Sequence, residues 1–418
     1  MDINNILKGV NCTCGRQHMC DIENVYIEKG AISRLAELCT GYENILVVAD
    51  ENTFGVAGNS VKASLTQHNI TEVIFPGNTI LIPNEDAIEK VSYSLDNINL
   101  ILGIGSGVIQ DLCKYVSGIS RIPYMIVATA PSMDGYASDG AAMILSGMKE
   151  TVKSGLPRAI IADTEVLKHA PMDMIKAGYG DIVGKFSALN DWKLSQCVND
   201  EYFCDYIYNT TMEMVNSTLS TAKGLLQRDE QSIGILMEAL VIVGIMMSFA
   251  GSSRPASGSE HHLSHFFEIV GIVDNEPYFT HGIDVAYSTV ITAGIREEII
   301  KREFPDRVFR ISDEEYTNKM NAIYKSVGDG CIELQKRVGN YSNDRASVYK
   351  DKETEIKEIL GEMPGADEIT AMLSMADIDM KDFYDLYSLE KIQTAIDYAK
   401  DLKDRYTVLW LNYDIGGV

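Results

Sequence analysis

Leu102-Gly-Ile-Gly-Ser-Gly-Val-Ile-Gln-Asp111 decides how the first third of the chain is read. An apolar run, Asn99–Gly103 (NLILG), leads into it, and a helical pattern follows. A glycine turn between strand and helix lets the backbone approach a ligand closely. It also leaves free N–H groups and a partial positive charge at the helix N-terminus. Gly103, Gly105 and Gly107 are in place, but the last glycine of a G-x-G-x-x-G pattern is not. The segment therefore reads either as a phosphate cradle or as a simple tight turn.

Four further runs, Asn44–Ala49 (NILVVA), Thr71–Phe75 (TEVIF), Tyr124–Thr129 (YMIVAT) and Ala159–Ala162 (AIIA), are short, and several are rich in Val and Ile. They read as strands buried on both faces. Val61–His68 and Asn84–Leu95, between them, have helical periodicity. That is βαβ order and predicts a mostly parallel sheet covered by helices. From about residue 167 onward apolar residues recur at helical spacing, with breaks at Pro171, Pro255, Pro277, Pro305 and Pro364. The expectation is an α/β amino-terminal domain with a nucleotide-binding sheet over residues 1–167. An all-α metal- and substrate-binding domain follows over 168–418.

Asp50 ends the first strong strand. A carboxylate there can accept both hydroxyls of an adenosine ribose and repel a 2′-phosphate, favouring NAD over NADP. It can equally cap the ENTF helix that follows.

With 418 residues, 46% apolar and 23% charged, the composition is globular. A net charge of −24 repels phosphate backbones and argues against a nucleic-acid partner. Eight cysteines are too few for a disulfide scaffold in a chain this long. The start, MDINNILKGVNC, lacks the marks of a signal peptide. The most apolar stretch, Gly234–Ala250, contains Glu238. It falls short of the ~20 residues a membrane span needs and reads as a buried helix. A cytoplasmic protein with reduced thiols is expected.

Four of the seven histidines, His261, His262, His265 and His281, lie within one short stretch. His261 and His265 are i, i+4 and share a helix face. Such a pair can bind a metal together, or one can bind while the other contacts substrate. Imidazole with carboxylate suits Zn²⁺, Ni²⁺ or Fe²⁺ better than Ca²⁺ or Mg²⁺. Upstream, GYGDIVGK (178–185) places Asp181 and Lys185 at i, i+4. They read as an ordinary ion pair, or as a carboxylate ligand beside a cation for an anionic substrate. Cys12, Cys14, His18 and Cys20 superficially resemble a zinc set, but the spacing is tighter than in the usual structural knuckle. An ordinary strand or loop with reduced thiols is expected there.

GSGVIQD (105–111), TAPSMDGYAS (129–138), GYGDIVGK (178–185), SRPASGSEHHLSH (253–265) and HGIDV (281–285) occur in this order along most of the chain. Together they resemble the iron-containing alcohol dehydrogenase-like superfamily, which includes glycerol dehydrogenases and dehydroquinate synthases. The resemblance is greatest to bacterial sn-glycerol-1-phosphate dehydrogenases. It implies NAD or NADP on the amino-terminal domain, one divalent metal (Zn²⁺ or Ni²⁺, or Fe²⁺) in the helical domain, and a homodimer. Gly107, Val108, Ile109, Gln110 and Asp111 match the pyrophosphate turn. Thr129, Ala130, Pro131, Ser132 and Ser138 match a second nucleotide-contacting loop. Asp181, His261 and His281 match metal ligands, with Asp181 also beside the substrate. Asp134 and His265 match substrate contacts that could orient hydroxyls or relay a proton. The family's spacing selects His261, and a spacing of three would select His262. Lys185 and Arg254 are candidate partners for a substrate phosphate. The implied reaction interconverts dihydroxyacetone phosphate and sn-glycerol 1-phosphate. The alternatives are a glycerol dehydrogenase acting on unphosphorylated polyols and a dehydroquinate-synthase-like lyase using NAD transiently.

Overall fold

The computed structural model describes residues 2–79, 81–145 and 148–417, with backbone only for 148–150. Its strands are β1 Val10–Asn11, β2 Gln17–His18, β3 Asn24–Glu28, β4 Asn44–Asp50, β5 Asn69–Phe75, β6 Leu100–Gly105, β7 Tyr124–Ala128, β8 Gly140–Leu145, β9 Met148–Lys153 and β10 Ala159–Asp163. Six form one sheet in the order β3-β10-β7-β6-β4-β5, with every neighbouring pair parallel. The other four make two separate antiparallel hairpins, β1–β2 and β8–β9. From Thr164 onward the described residues form helices and no strand.

Burial explains the central strands. Ile45, Leu46, Val47 and Val48 have no exposed surface on either face. Ile45, Val47 and Ala49 pack with Leu100, Leu102, Ile104 and Val127, under Ala57 and Val61 of helix Glu51–Ser64. β5, at the sheet edge, buries only Val73 and Phe75 fully, and its other residues are exposed or half-exposed. The strand order reverses beside β4: the chain runs outward from β4 to β5, but from β6 the other way to β7. The carboxyl ends of β4 and β6 therefore flank the switch point, where open α/β sheets bind ligands. Asp50 ends β4 and Gly105 ends β6.

By Cα proximity the chain groups into Met1–Ile182 with Asn216–Ser252, and Val183–Val215 with Ser253–Val418. This differs from a single boundary at 167/168, because two helices join the sheet. Helix Met172–Val183 packs so closely on the β7 side that a Cβ at Gly178 would meet the Pro131 carbonyl oxygen. In helix Glu230–Ala250, Glu230 accepts a hydrogen bond from Thr164 Oγ1 (2.7 Å), and Ser248 Oγ donates to the Ala137 carbonyl (2.9 Å). Helix Glu230–Ala250 has 21 residues, beginning four before the apolar stretch noted in the sequence, and is long and apolar enough to cross a membrane. Of its most apolar window, 78% is buried inside the fold.

The second unit is helical, and a buried polar network holds its core. Asp191 accepts from Arg296 Nη2 (2.7 Å), Ser259 N (2.6 Å) and Val408 N (2.8 Å). Arg296 Nε also donates to Asn190 Oδ1 (2.9 Å), and both Asp191 and Arg296 are buried. The network ties helix Lys185–Asn199 to the starts of helices Ser259–Asp274 and Val408–Asp414. Arg296 itself comes from helix His281–Ile300.

Candidate active site

The glycine turn ends in helix Gly107–Ser120, whose first helical hydrogen bond is Gln110 N to Ser106 O (2.9 Å). The amides of Gly107, Val108 and Ile109 therefore belong to the first turn, which has no carbonyl to receive them within the helix. Ser106 makes no side-chain cap. The glycines have different reasons. A Cβ at Gly105 would lie 2.5 Å from Ile109 Cβ, and one at Gly103 2.8 Å from Ile126 Cδ1. A Cβ at Gly107 would meet nothing nearer than Met133, at 3.8 Å. Gly103 and Gly105 thus serve internal packing, while Gly107 leaves open space above the amides.

The side chains of Ile109 and Gln110 point inward, so only their backbone can face a ligand. Gln110 Nε2 donates to Tyr124 Oη (3.2 Å) and to the Tyr136 carbonyl (3.1 Å). Asp50 caps the helix that follows β4: its Oδ1 accepts from Asn52 N (2.8 Å) and Thr53 N (2.9 Å).

Loop 129–140 is held from several sides. Thr129 N donates to Gly105 O (3.1 Å), and Tyr136 Oη to the Ala130 carbonyl (2.8 Å). Lys114, buried in helix Gly107–Ser120, donates to the carbonyls of Gly135 (3.0 Å) and Gly140 (2.7 Å). Burial lowers the pKa of this ammonium, with nearby Asp111 opposing the shift. Ser138 Oγ turns to the Gly135 carbonyl (3.1 Å), so it braces the loop. Ser132 lies half-buried on the same loop. Gly244 of helix Glu230–Ala250 admits the loop closely, since a Cβ there would be 2.7 Å from Asp134 O. Asp134 N donates to Asp181 Oδ2 at 3.0 Å, linking this loop to a fully buried carboxylate in the last turn of helix Met172–Val183. Sequence reasoning missed Lys114; a lysine three residues after Asp111 looks like a surface ion pair.

In the helical unit, His261, His265 and His281 face one another. Ring centroids are 5.0 Å apart for His261–His281, 5.4 Å for His265–His281 and 6.1 Å for His261–His265. Helix Ser259–Asp274 presents the first two, and His281 opens helix His281–Ile300. His261 Nδ1 lies 2.7 Å from Glu260 Oε1. Burial raises the Glu260 pKa, but the hydrogen bonds from His261 and the Gly258 N–H work against it, and the value is lowered. A carboxylate only accepts, so Nδ1 carries the proton and Nε2 keeps its lone pair. Ser264 Oγ is 3.5 Å from His281 Nδ1. Glu260 was not singled out in the sequence, although EHH places it beside the ligand.

His262 is fully buried, and neither ring nitrogen has a hydrogen-bond partner among the described residues. Burial pushes its pKa well down. Arg254 is corrected as a phosphate partner. Its guanidinium is buried against Glu201 (Nε to Oε1, 2.7 Å), and Nη1 donates to the Tyr406 carbonyl (2.7 Å). Lys185 opens helix Lys185–Asn199 and is fully buried.

A family model for iron-containing alcohol dehydrogenase matches residues 26–171. A protein of Geobacillus thermodenitrificans named glycerol-1-phosphate dehydrogenase [NAD(P)+] is 31% identical over 369 residues, covering 86% of this chain and 85% of its own. One of the same name from Methanosarcina acetivorans is 34% identical over 246 residues, covering 58% of this chain and 68% of its own. An iron-containing alcohol dehydrogenase from Thermococcus thioreducens has a similar fold: TM-score 0.61, 13% identity, covering 96% of this chain and 100% of its own. For a probable glycerol dehydrogenase of Sinorhizobium meliloti the TM-score is 0.56 at 17% identity, covering 85% and 97%. A βαβ sheet with an open amide turn, a helical unit with converging histidines, and this extent of identity make one statement: the chain belongs to the glycerol-1-phosphate dehydrogenase family, on the fold of the iron-containing alcohol dehydrogenases.

Proposed function

We propose that the protein interconverts dihydroxyacetone phosphate and sn-glycerol 1-phosphate by hydride transfer with NAD or NADP, at a divalent metal held by Asp181, His261 and His281. One observation carries the metal assignment. The rings of His261 and His281 face one another within the helical unit, with centroids 5.0 Å apart, and Asp181 joins them by the family resemblance. Asp181 stands one residue before the position at which the chain leaves the first unit, in the closing turn of a helix. One carboxylate and two imidazoles fit Zn²⁺, Ni²⁺ or Fe²⁺, and three protein ligands leave a position open for substrate.

When bound, the metal supplies Lewis acidity toward the substrate oxygen and the nicotinamide accepts or gives the hydride. The chain does the positioning. Glu260 fixes the tautomer of His261. Asp134 is set by its backbone bond to Asp181, and His265 by its place beside both histidine ligands. In this reading Asp134 and His265 orient substrate hydroxyls or relay the proton. The amides of Gly107–Ile109 receive the cofactor's pyrophosphate, with Thr129–Ser132 alongside. Asp50 is at the ribose end, which favours NAD. Lys185 is retained as the cation for the substrate phosphate. A cytoplasmic homodimer without a nucleic-acid partner completes the reading.

The test is spectrophotometric. Metal-loaded protein is mixed with NADH or NADPH and either dihydroxyacetone phosphate or dihydroxyacetone. Oxidation with the phosphorylated ketone supports the reading. Oxidation only with dihydroxyacetone would move the activity to glycerol dehydrogenase, and no oxidation with either ketone contradicts hydride transfer to them.

A further inference from the structure

The amino-terminal hairpin holds a second constellation that the dehydrogenase reaction does not use. β1 and β2 pair Val10 with His18 and Asn11 with Gln17. The turn closes with Cys12 N donating to Arg16 O (3.3 Å) and Gly15 N to Cys12 O (3.2 Å). Gly15 sits at φ +83°, which favours glycine. The tight turn brings two thiols and an imidazole together: Cys12, Cys14 and His18 each offer a donor atom, all within 4.8 Å of one another. The spacing that looked too short for a knuckle is accommodated because His18 enters from the returning strand.

His18 is built as a ligand would be. It is buried, and its ring stacks on Phe249 with centroids 5.3 Å apart and planes 14° from parallel. Its Nδ1 lies 3.1 Å from the Phe249 carbonyl oxygen. A carbonyl only accepts, so Nδ1 carries the proton and Nε2 presents its lone pair. That is the outer-shell arrangement which orients metal-binding histidines. Nε2 is 3.4 Å from Cys14 Sγ. In a tetrahedral site with Zn–S and Zn–N bonds of ~2.3 and ~2.05 Å, the S···N edge is about 3.6 Å. The pair is already spaced as the edge of such a site.

We propose that Cys12, Cys14 and His18 bind Zn²⁺ in the turn of this hairpin. Two thiolates and a neutral imidazole are a zinc donor set, soft sulfur with nitrogen. Binding releases the protons of the two thiols. The ion would pin the hairpin to the end of helix Glu230–Ala250 through His18 and Phe249. The inference does not depend on the metal at His261 and His281.

The full chain, purified under reducing conditions, is loaded with Co²⁺ as the probe. A His261→Ala/His281→Ala variant removes imidazoles from the other metal site, which has no sulfur. That variant is expected to keep one Co²⁺ with an intense sulfur-to-cobalt charge-transfer band and tetrahedral visible absorption. Cys14→Ser should lose about half of the band, one thiolate of two, while keeping one metal at the histidine site. X-ray absorption on the unsubstituted zinc-loaded chain, which needs no variant to fold, should show sulfur scatterers at about 2.3 Å. Absence of the band and of sulfur scatterers, or recovery of Cys12 and Cys14 in a disulfide, would overturn the site. A band untouched by Cys14→Ser would overturn Cys14 as a ligand.

Discussion

Glu260 Oε1 lies 2.7 Å from His261 Nδ1, within a helix that begins one residue earlier. The same oxygen accepts from Gly258 N (2.8 Å), so the carboxylate is anchored before it orients the ring. Outer-shell partners of this kind are worth about 10–100-fold in metal affinity. Glu260→Gln keeps the shape but removes the charge. Metal affinity, measured by competition with a chromophoric chelator, should fall by about that factor while the circular dichroism spectrum is unchanged. Equal affinity would mean that Glu260 does not act on His261.

The two glycines of the nucleotide turn should separate stability from binding. Gly105→Ala puts a methyl into Ile109, at 2.5 Å, and overpacking costs about 1–3 kcal/mol. Gly107→Ala meets only Met133, at 3.8 Å. It should leave the melting temperature of the cofactor-free protein unlowered and raise KM for the nicotinamide cofactor. Thermal melts together with cofactor titrations check both. A Gly107→Ala variant that binds the cofactor normally would remove the amide turn from the site.

Lys114 braces the loop that carries Asp134. Lys114→Met keeps the stem but removes the ammonium from the carbonyls of Gly135 and Gly140, leaving Ser138 as their donor. A hydrogen bond from a charged group is worth about 1.5–3 kcal/mol. The variant should unfold at lower denaturant concentration, and its kcat should fall, because the loop reaches Asp181 through Asp134 N. Wild-type kcat in a destabilised variant would show that the loop does not need this brace for catalysis.

Asp284 gives a signed pH dependence. Burial raises its pKa well above the ordinary aspartate value, with the Tyr387 hydroxyl opposing the shift by donating to both carboxyl oxygens (3.1 and 3.2 Å). A raised folded-state pKa favours the protonated form. Its stabilisation is complete below the ordinary value of ~3.9 and is lost as pH rises through the raised value. Asp284→Asn stays neutral throughout and still offers Tyr387 an acceptor. Its melting temperature relative to wild type should therefore increase from about pH 4 to about pH 8. A difference that is flat or falls with pH would contradict the assignment.

The central strands were legible because short Val- and Ile-rich runs without alternation fit a strand buried on both faces. β3 was missed: NVYIE is an edge strand, which buries Val25 and leaves the rest half-exposed or exposed. The hairpins β1–β2 and β8–β9 were missed because they are short or carry charge. Local periodicity identified helix Glu230–Ala250 but could not say that it packs with the sheet, which depends on partners such as Thr164, 66 residues away. Arg254 failed for the same reason, since Glu201 is 53 positions distant. The histidine cluster was visible because His261, His265 and His281 lie on consecutive helices. Asp181 was supplied by family resemblance, since spacing alone cannot bring a residue 80 positions upstream to His261.

The central claim is tested most directly by metal content and reductase activity in His281→Ala. Relative to wild type, the account predicts one equivalent less of bound divalent metal per chain after gel filtration. It also predicts loss of dihydroxyacetone-phosphate-dependent NADH or NADPH oxidation, with the fold intact by circular dichroism. Unchanged metal stoichiometry together with wild-type turnover in His281→Ala would contradict it.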